Sequence, residues 1–157
     1  SKKLREISQP VKKLDKATLQ LIKNLVDTLR CSGGVGLSAP QIGVLKRVLA
    51  YEYKKPKGSL DKTPELPLTI LINPEITKTS KKTDIEEEGC LSFPNMFGQV
   101  KRCTKITVKA LGINNKEIVF EAEGLEARVI QHELDHLDGI LFIDHLENPK
   151  QIYTYQI

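Results

Sequence analysis

Gln131-His132-Glu133-Leu134-Asp135-His136-Leu137 is the stretch that decides how the rest of the chain is read. Its two histidines lie four residues apart, and at about 3.6 residues per turn an α-helix stacks them on one face. Two imidazoles so placed can reach one metal ion. Glu133, directly after the first histidine, is then positioned to take a proton from water that the ion activates. The chain has three histidines in all. Two of them at this spacing, with glutamate inside, point to a metal-dependent hydrolase rather than to an ordinary helix.

Working outward, the helix is predicted to start at Gly124, to run to Leu137 or Asp138 and to stop at Gly139. Before it, Gln99 to Leu111 and Glu117 to Glu123 read as a hairpin, with Asn114-Asn115 in the turn and Ile106, Val108 and Ala110 alternating with polar residues. Arg47 to Tyr53 and Leu68 to Asn73 read as strands, and Lys54 to Pro67, rich in Lys, Pro and Gly, as an exposed loop. From Pro74 to Ile85 the chain is polar. Leu19, Ile22, Leu25, Val26 and Leu29 recur at the spacing of one helical face, with Asp15 as N-cap and Gly33 as stop. The turn Gly33-Gly34-Val35-Gly36 follows, then Leu37-Ser38-Ala39-Pro40-Gln41.

A chain of 157 residues suits one domain, residues 1–157, burying about two thirds of its unfolded surface. The balance of 24 Lys and Arg against 20 Asp and Glu and the lack of a long like-charged block argue against direct nucleic-acid binding. No apolar run approaches the roughly 20 residues of a membrane span. Three cysteines, odd in number and widely spaced, make no disulfide framework and favour a reducing compartment, the cytoplasm or an organelle interior.

A catalytic metal keeps three protein ligands and leaves a position for water. The third ligand is open among His145, several carboxylates, Cys31, Cys90 and Cys103. Cys31 and Cys103 read as packed thiols. Cys90 differs, because Ile85-Glu86-Glu87-Glu88-Gly89-Cys90-Leu91-Ser92 passes abruptly from acid to cysteine, and Gly89 lets backbone approach closely.

Three separated stretches, Gly34-Val35-Gly36-Leu37-Ser38-Ala39-Pro40-Gln41, Glu88-Gly89-Cys90-Leu91-Ser92 and Gln131-His132-Glu133-Leu134-Asp135-His136, resemble the three signature motifs of peptide deformylase, in that family's order. The resemblance implies an α+β fold of antiparallel sheets around a central metal-binding helix. It implies one divalent ion on Cys90, His132 and His136, ferrous iron natively, with zinc, nickel or cobalt able to use the same ligands. The implied substrate is an N-formylmethionyl nascent peptide, cleaved to formate by a monomeric enzyme. Glu133 would be the general base, and the Gln41 amide and Leu91 backbone N–H would stabilise negative charge on the formyl oxygen. Gly36 and Gly89 would admit the peptide as an added strand, while Leu125, Val129 and Val35 would wall a methionine pocket.

Some positions depart from that pattern. Arg128 stands where the family generally has an apolar pocket residue, so its guanidinium is expected to snorkel to solvent or cap the pocket rim. Ser38 and Phe93 replace a common Ala and a smaller aliphatic residue. An Arg102–Asp135 ion pair is expected to brace the histidine helix. The similarity starts within four residues of Ser1, as though the N-terminal strand were shortened. The sequence also ends soon after His145, short of the long C-terminal helix that many bacterial members use at the ribosome, which weakens the case for a ribosome contact. A phage, an organelle or a bacterium would each suit such a chain. The competing classes are a metal-dependent peptidase and a binding module that holds peptide or metal without turnover.

Overall fold

A computed structural model of the chain describes residues 2–146. Strand β2 (Val48–Tyr53) is central to it: Val48, Leu49, Ala50 and Tyr51 are all fully buried. Successive side chains of a strand point to opposite faces, so β2 must be covered on both. Val48 and Ala50 pack with Ile22, Leu25 and Leu29 of helix α1 (Lys16–Ser32). Leu49 and Tyr51 pack on the other side with Ala127, Ile130 and Leu137 of helix α2 (Gly124–Leu137).

The sheet that holds β2 has five antiparallel strands in the order β1-β2-β3-β6-β7, where β1 is Gly36–Ser38, β3 Leu66–Thr79, β6 Lys105–Leu111 and β7 Glu117–Glu123. Strands β4 (Thr83–Cys90) and β5 (Phe93–Cys103) form a separate antiparallel pair. The architecture is α+β, with antiparallel sheets arranged around α2.

Helix α1 begins as its sequence predicts: the Asp15 carboxylate accepts from the Thr18 backbone N–H at 2.9 Å, and Gly33 ends the helix in the left-handed region. Its buried stripe is Leu21, Ile22, Leu25 and Leu29, whereas Leu19 is half exposed, so the inward face is rotated from the expected one. The expected 99–111 strand is two strands. The chain leaves the β4–β5 pair at Thr104, whose N–H donates to Lys82 O at 3.1 Å, and enters the larger sheet as β6. The polar stretch after Pro74 is largely strand as well, carrying the end of β3 and the start of β4, because hydrogen bonding along an exposed ladder needs no apolar pattern. Cys31 is exposed rather than packed, and Cys103 is half-buried. The segment expected to lack a C-terminal helix lies largely outside the described residues.

Strand β1 lies directly against α2. A Cβ on Gly36 would sit 2.8 Å from Val129 Cγ1 and 2.9 Å from Glu133 Cγ, closer than real side chains approach. Gly36→Ala is expected to lower stability by about 1–3 kcal/mol, read as a lower urea midpoint, because it must push α2 and Glu133 away from the sheet.

Candidate metal centre and active site

Helix α2 presents His132 and His136 one turn apart, their ring centroids separated by 5.2 Å. The tip of the β4–β5 pair brings Cys90 to them, with Sγ 3.2 Å from His136 Nε2. Ligand atoms of Cys90, His132 and His136 all lie within 4.8 Å of one another, and no fourth His, Cys, Asp or Glu joins the group among the described residues. His145, a candidate ligand by sequence, instead contacts Asp135 Oδ2 at 2.8 Å. Cys31 and Cys103 are also outside the group.

The donor set fits a divalent metal. His132 Nδ1 lies 2.8 Å from Glu88 Oε1, which fixes the ring and leaves Nε2 as the free donor, the arrangement expected of a metal-binding imidazole. One thiol and two imidazoles suit iron, zinc, nickel or cobalt rather than magnesium or calcium. Three ligands also leave room for water and substrate, unlike a closed structural zinc site.

Electrostatics separates the four ionisable groups. Burial pulls His132 down, but its contacts with Cys90 and Glu88 outweigh burial and push it up to about 10. His136 is lowered to about 3 by burial, reinforced by the charge of His132. Burial also works against an ionised Glu88, yet hydrogen bonds from His132 and Arg102 hold it well below the usual carboxylate range. Glu133 is raised to about 7 by burial, its Oε2 is buried without a hydrogen-bond partner among the described residues, and its Oε1 is 3.8 Å from His132 Nε2.

Gln41 is oriented unambiguously by its neighbours. Its Oε1 accepts from the Ser38 backbone N–H and Ser38 Oγ, each at 2.9 Å, so Nε2 faces the site, 3.4 Å from Cys90 Sγ and 3.2 Å from Ser92 Oγ. Both anchors belong to Ser38, and its hydroxyl, present because Ser38 departs from the motif, is the one that alanine would lack. Phe93, the other departure, meets Phe142 edge-on at 5.9 Å, and Phe142 stacks on the His132 ring at 6.4 Å.

A cavity of about 490 Å³ opens beside these groups, within the range of small-ligand sites. Val35, Gly36, Gln41, Gly89, Cys90, Leu91, Leu125, Arg128, Val129, His132 and Glu133 all line it, and the buried His136 does not. Glycine at 89 accommodates an aromatic ring, since a Cβ there would lie 2.7 Å from Phe97 Cε1. The β5 residues Pro94, Met96 and Phe97 complete the far wall, which the sequence reading missed. A pairing irregularity after Gly89, which faces Phe97 while Cys90 faces Phe93, bulges them toward the cavity.

Arg128 contradicts the expectation of snorkelling. Its side chain is 8% exposed, and its guanidinium reaches Glu88 Oε2 at 2.5 Å, Asp84 Oδ1 at 2.7 Å and Val100 O at 3.0 Å. Arg102 does pair with Asp135, at 2.5 Å, and also grips both oxygens of Glu88 at 3.0 Å. Glu88, to which the sequence reading gave no role of its own, is the hub of this network. Alternation along β4 places Asp84, Glu86 and Glu88 on one face, a pattern that asks for cations opposite.

A family model described as polypeptide deformylase matches residues 1–152. The chain belongs to the polypeptide deformylase family. It is 48% identical to the peptide deformylase of Halothermothrix orenii over 141 residues, covering 90% of this chain and 85% of that one. Among solved structures, a peptide deformylase from Ehrlichia chaffeensis superposes with a TM-score of 0.85 at 34% identity, covering 96% of this chain and 86% of the other. A Met-Ala-Ser bound class I type b deformylase from Acinetobacter baumannii gives 0.86 at 34%, covering 93% of each. Deformylases are metal-dependent hydrolases that remove the formyl group from the N-terminus of nascent polypeptides, and this chain is an enzyme of that kind.

The Glu133 shift sets a pH dependence of the metal-free protein. A carboxyl raised from 4.5 to about 7 on folding contributes stability that is complete below pH 4.5 and is lost as pH rises through about 7. Metal-free Glu133→Gln should therefore be more stable than wild type at pH 8, on the order of 3 kcal/mol, with the advantage vanishing near pH 4. Urea unfolding at the two pH values measures it.

Proposed function

We propose that Cys90, His132 and His136 bind one divalent ion, that Glu133 is the general base, and that Gln41 Nε2 and the Leu91 backbone N–H stabilise the oxyanion formed at the formyl group. The observation that carries the reading is the convergence of one thiol and two imidazoles beside a buried glutamate. Ferrous iron is the native ion in this reading, with zinc, nickel or cobalt able to replace it; the thiolate makes the ferrous form sensitive to oxygen. When bound, the ion supplies Lewis acidity and lowers the pKa of water from about 15.7 toward 7.

The side chains do the remaining work. Glu133 takes the proton of the attacking water and returns it to the departing amine. Its raised affinity for a proton suits both halves of that transfer near neutral pH. Gln41, anchored through its carbonyl by Ser38, keeps its N–H donors aimed at the site before substrate arrives, so little reorganisation is needed.

The substrate backbone lies along Val35, Gly36 and Gly89, bound by main-chain hydrogen bonds indifferent to sequence. Leu125, Val129 and the aliphatic stem of Arg128 wall the methionine pocket. The ion pairs that neutralise the Arg128 guanidinium let that wall remain compatible with an apolar side chain. The Met-Ala-Ser on the Acinetobacter baumannii relative supports methionine as the first residue. The chain acts as a single catalytic domain and a monomer, in the cytoplasm or an organelle interior where formylated chains are made. A small formylated peptide is substrate enough, with no ribosome required.

Formate release from a formyl-Met dipeptide, after anaerobic loading with iron or nickel, tests this assignment. Wild type should turn over, and Glu133→Ala should lose about 100- to 10,000-fold in rate while retaining the ion. Cleavage of internal peptide bonds, or ion binding without either reaction, would overturn it.

A further inference from the structure

We infer that Arg128 is a positioning residue for His132, acting through Glu88. The inference rests on the reading of His132 as a metal ligand. Glu88 accepts four close contacts: His132 Nδ1 at 2.8 Å and Arg102 Nη2 at 3.0 Å on Oε1, Arg102 Nε at 3.0 Å and Arg128 Nη1 at 2.5 Å on Oε2. A carboxylate offers about four acceptor sites, so each is used.

Arg128 and His132 are one turn apart on α2 and hold opposite oxygens of the same carboxylate. Arg102 joins that carboxylate to Asp135, on the C-terminal side of His132. Arg128 supplies the matching tie on the N-terminal side. It is itself held by Asp84 Oδ1 at 2.7 Å and Val100 O at 3.0 Å, so it cannot swing away. Without Arg128, the β4–β5 pair would stay docked on α2 through Arg102–Asp135 and the Gln131–Cys103 hydrogen bonds, but the Oε2 side of Glu88 would lose its tie to α2, leaving the carboxylate that aims His132 free to turn. Partners of this kind typically change metal affinity about 10- to 100-fold when removed.

The test uses the full chain titrated with Co²⁺, with affinity read by competition against a chromogenic chelator and ligand geometry read from the visible absorption of bound cobalt. Arg128→Met, which keeps length but removes every donor, should weaken Co²⁺ binding by about 10- to 100-fold and shift the absorption bands. Arg128→Lys should recover part of both, since an ammonium can still reach Glu88. Asp84→Asn, at a half-exposed position, should weaken binding by a smaller factor and keeps the test available should Arg128→Met fail to fold. Wild-type Co²⁺ affinity and spectrum in Arg128→Met, even with a lowered urea midpoint, would make Arg128 a merely structural residue and overturn the inference. His132→Ala separates the two levels. If it too leaves affinity unchanged, the ligand assignment itself fails; if it abolishes binding while Arg128→Met and Asp84→Asn do not alter it, only the positioning role fails.

Discussion

A single buried carboxylate, Glu88, holds the active site together. Its side chain is 7% exposed, and it lies between the guanidinium groups of Arg102 and Arg128, which are 4% and 8% exposed. Removing such charges from water costs several kcal/mol per ion and is offset only where geometry is good and the remaining lone pairs are satisfied. Both conditions hold here, with four donors on two oxygens and with Asp135 and Asp84 taking up the outer faces of the two arginines. Loss of Glu88 or of either arginine leaves a buried charge with fewer partners to offset its desolvation.

The cluster matters because of where the three proposed ligands originate. Two come from α2, whose place is set by the apolar contacts of Ala127, Ile130 and Leu137 with the large sheet. The third, Cys90, comes from the β4–β5 pair, which is not a member of that sheet. A two-stranded pair is marginal in water and must dock on something. Val100 and Gly98 give it some buried surface. The arginine and carboxylate network then fixes its register against α2. Docking of the pair therefore also brings Cys90 to the two histidines, since Cys90 and Glu88, which contact His136 and His132, are only two residues apart.

Much of this was legible in the sequence because the decisive features are local. Asp15 and Gly33 bound α1 through capping chemistry that needs no tertiary context, and His132 and His136 share a face by helical spacing alone. Choosing Cys90 as the third proposed ligand required the family motifs, since its local setting, though unlike that of Cys31, left His145 and several carboxylates open. What escaped was non-local. The split at Thr104 reflects a crossing between sheets in a continuous polar-apolar alternation, which periodicity cannot see. Arg128 was expected to snorkel to solvent or cap the pocket rim, because a lone arginine on an apolar helix face ordinarily seeks water; it does line the cavity, but its partners Asp84 and Glu88 lie 44 and 40 residues away in sequence and bury its guanidinium. The rotated stripe of α1 has a similar origin, since Leu21 is buried in a cluster that gathers Val11, Leu37, Val48 and Ile72 from elements distant in sequence.

The same contrast explains how two glutamates in one cavity take opposite characters. Glu88 and Glu133 are both buried and both near His132. Glu88 is surrounded by donors, so its ionised form is stabilised despite burial and it serves as a fixed anion that orients an imidazole. Glu133 has an oxygen without a partner among the described residues, so burial dominates and its proton affinity rises toward neutrality. A group that must hold a ring still benefits from never titrating, whereas a group that must accept and return a proton benefits from titrating close to the working pH. The division of labour proposed for them therefore follows from the number of hydrogen-bond donors that the fold supplies to each.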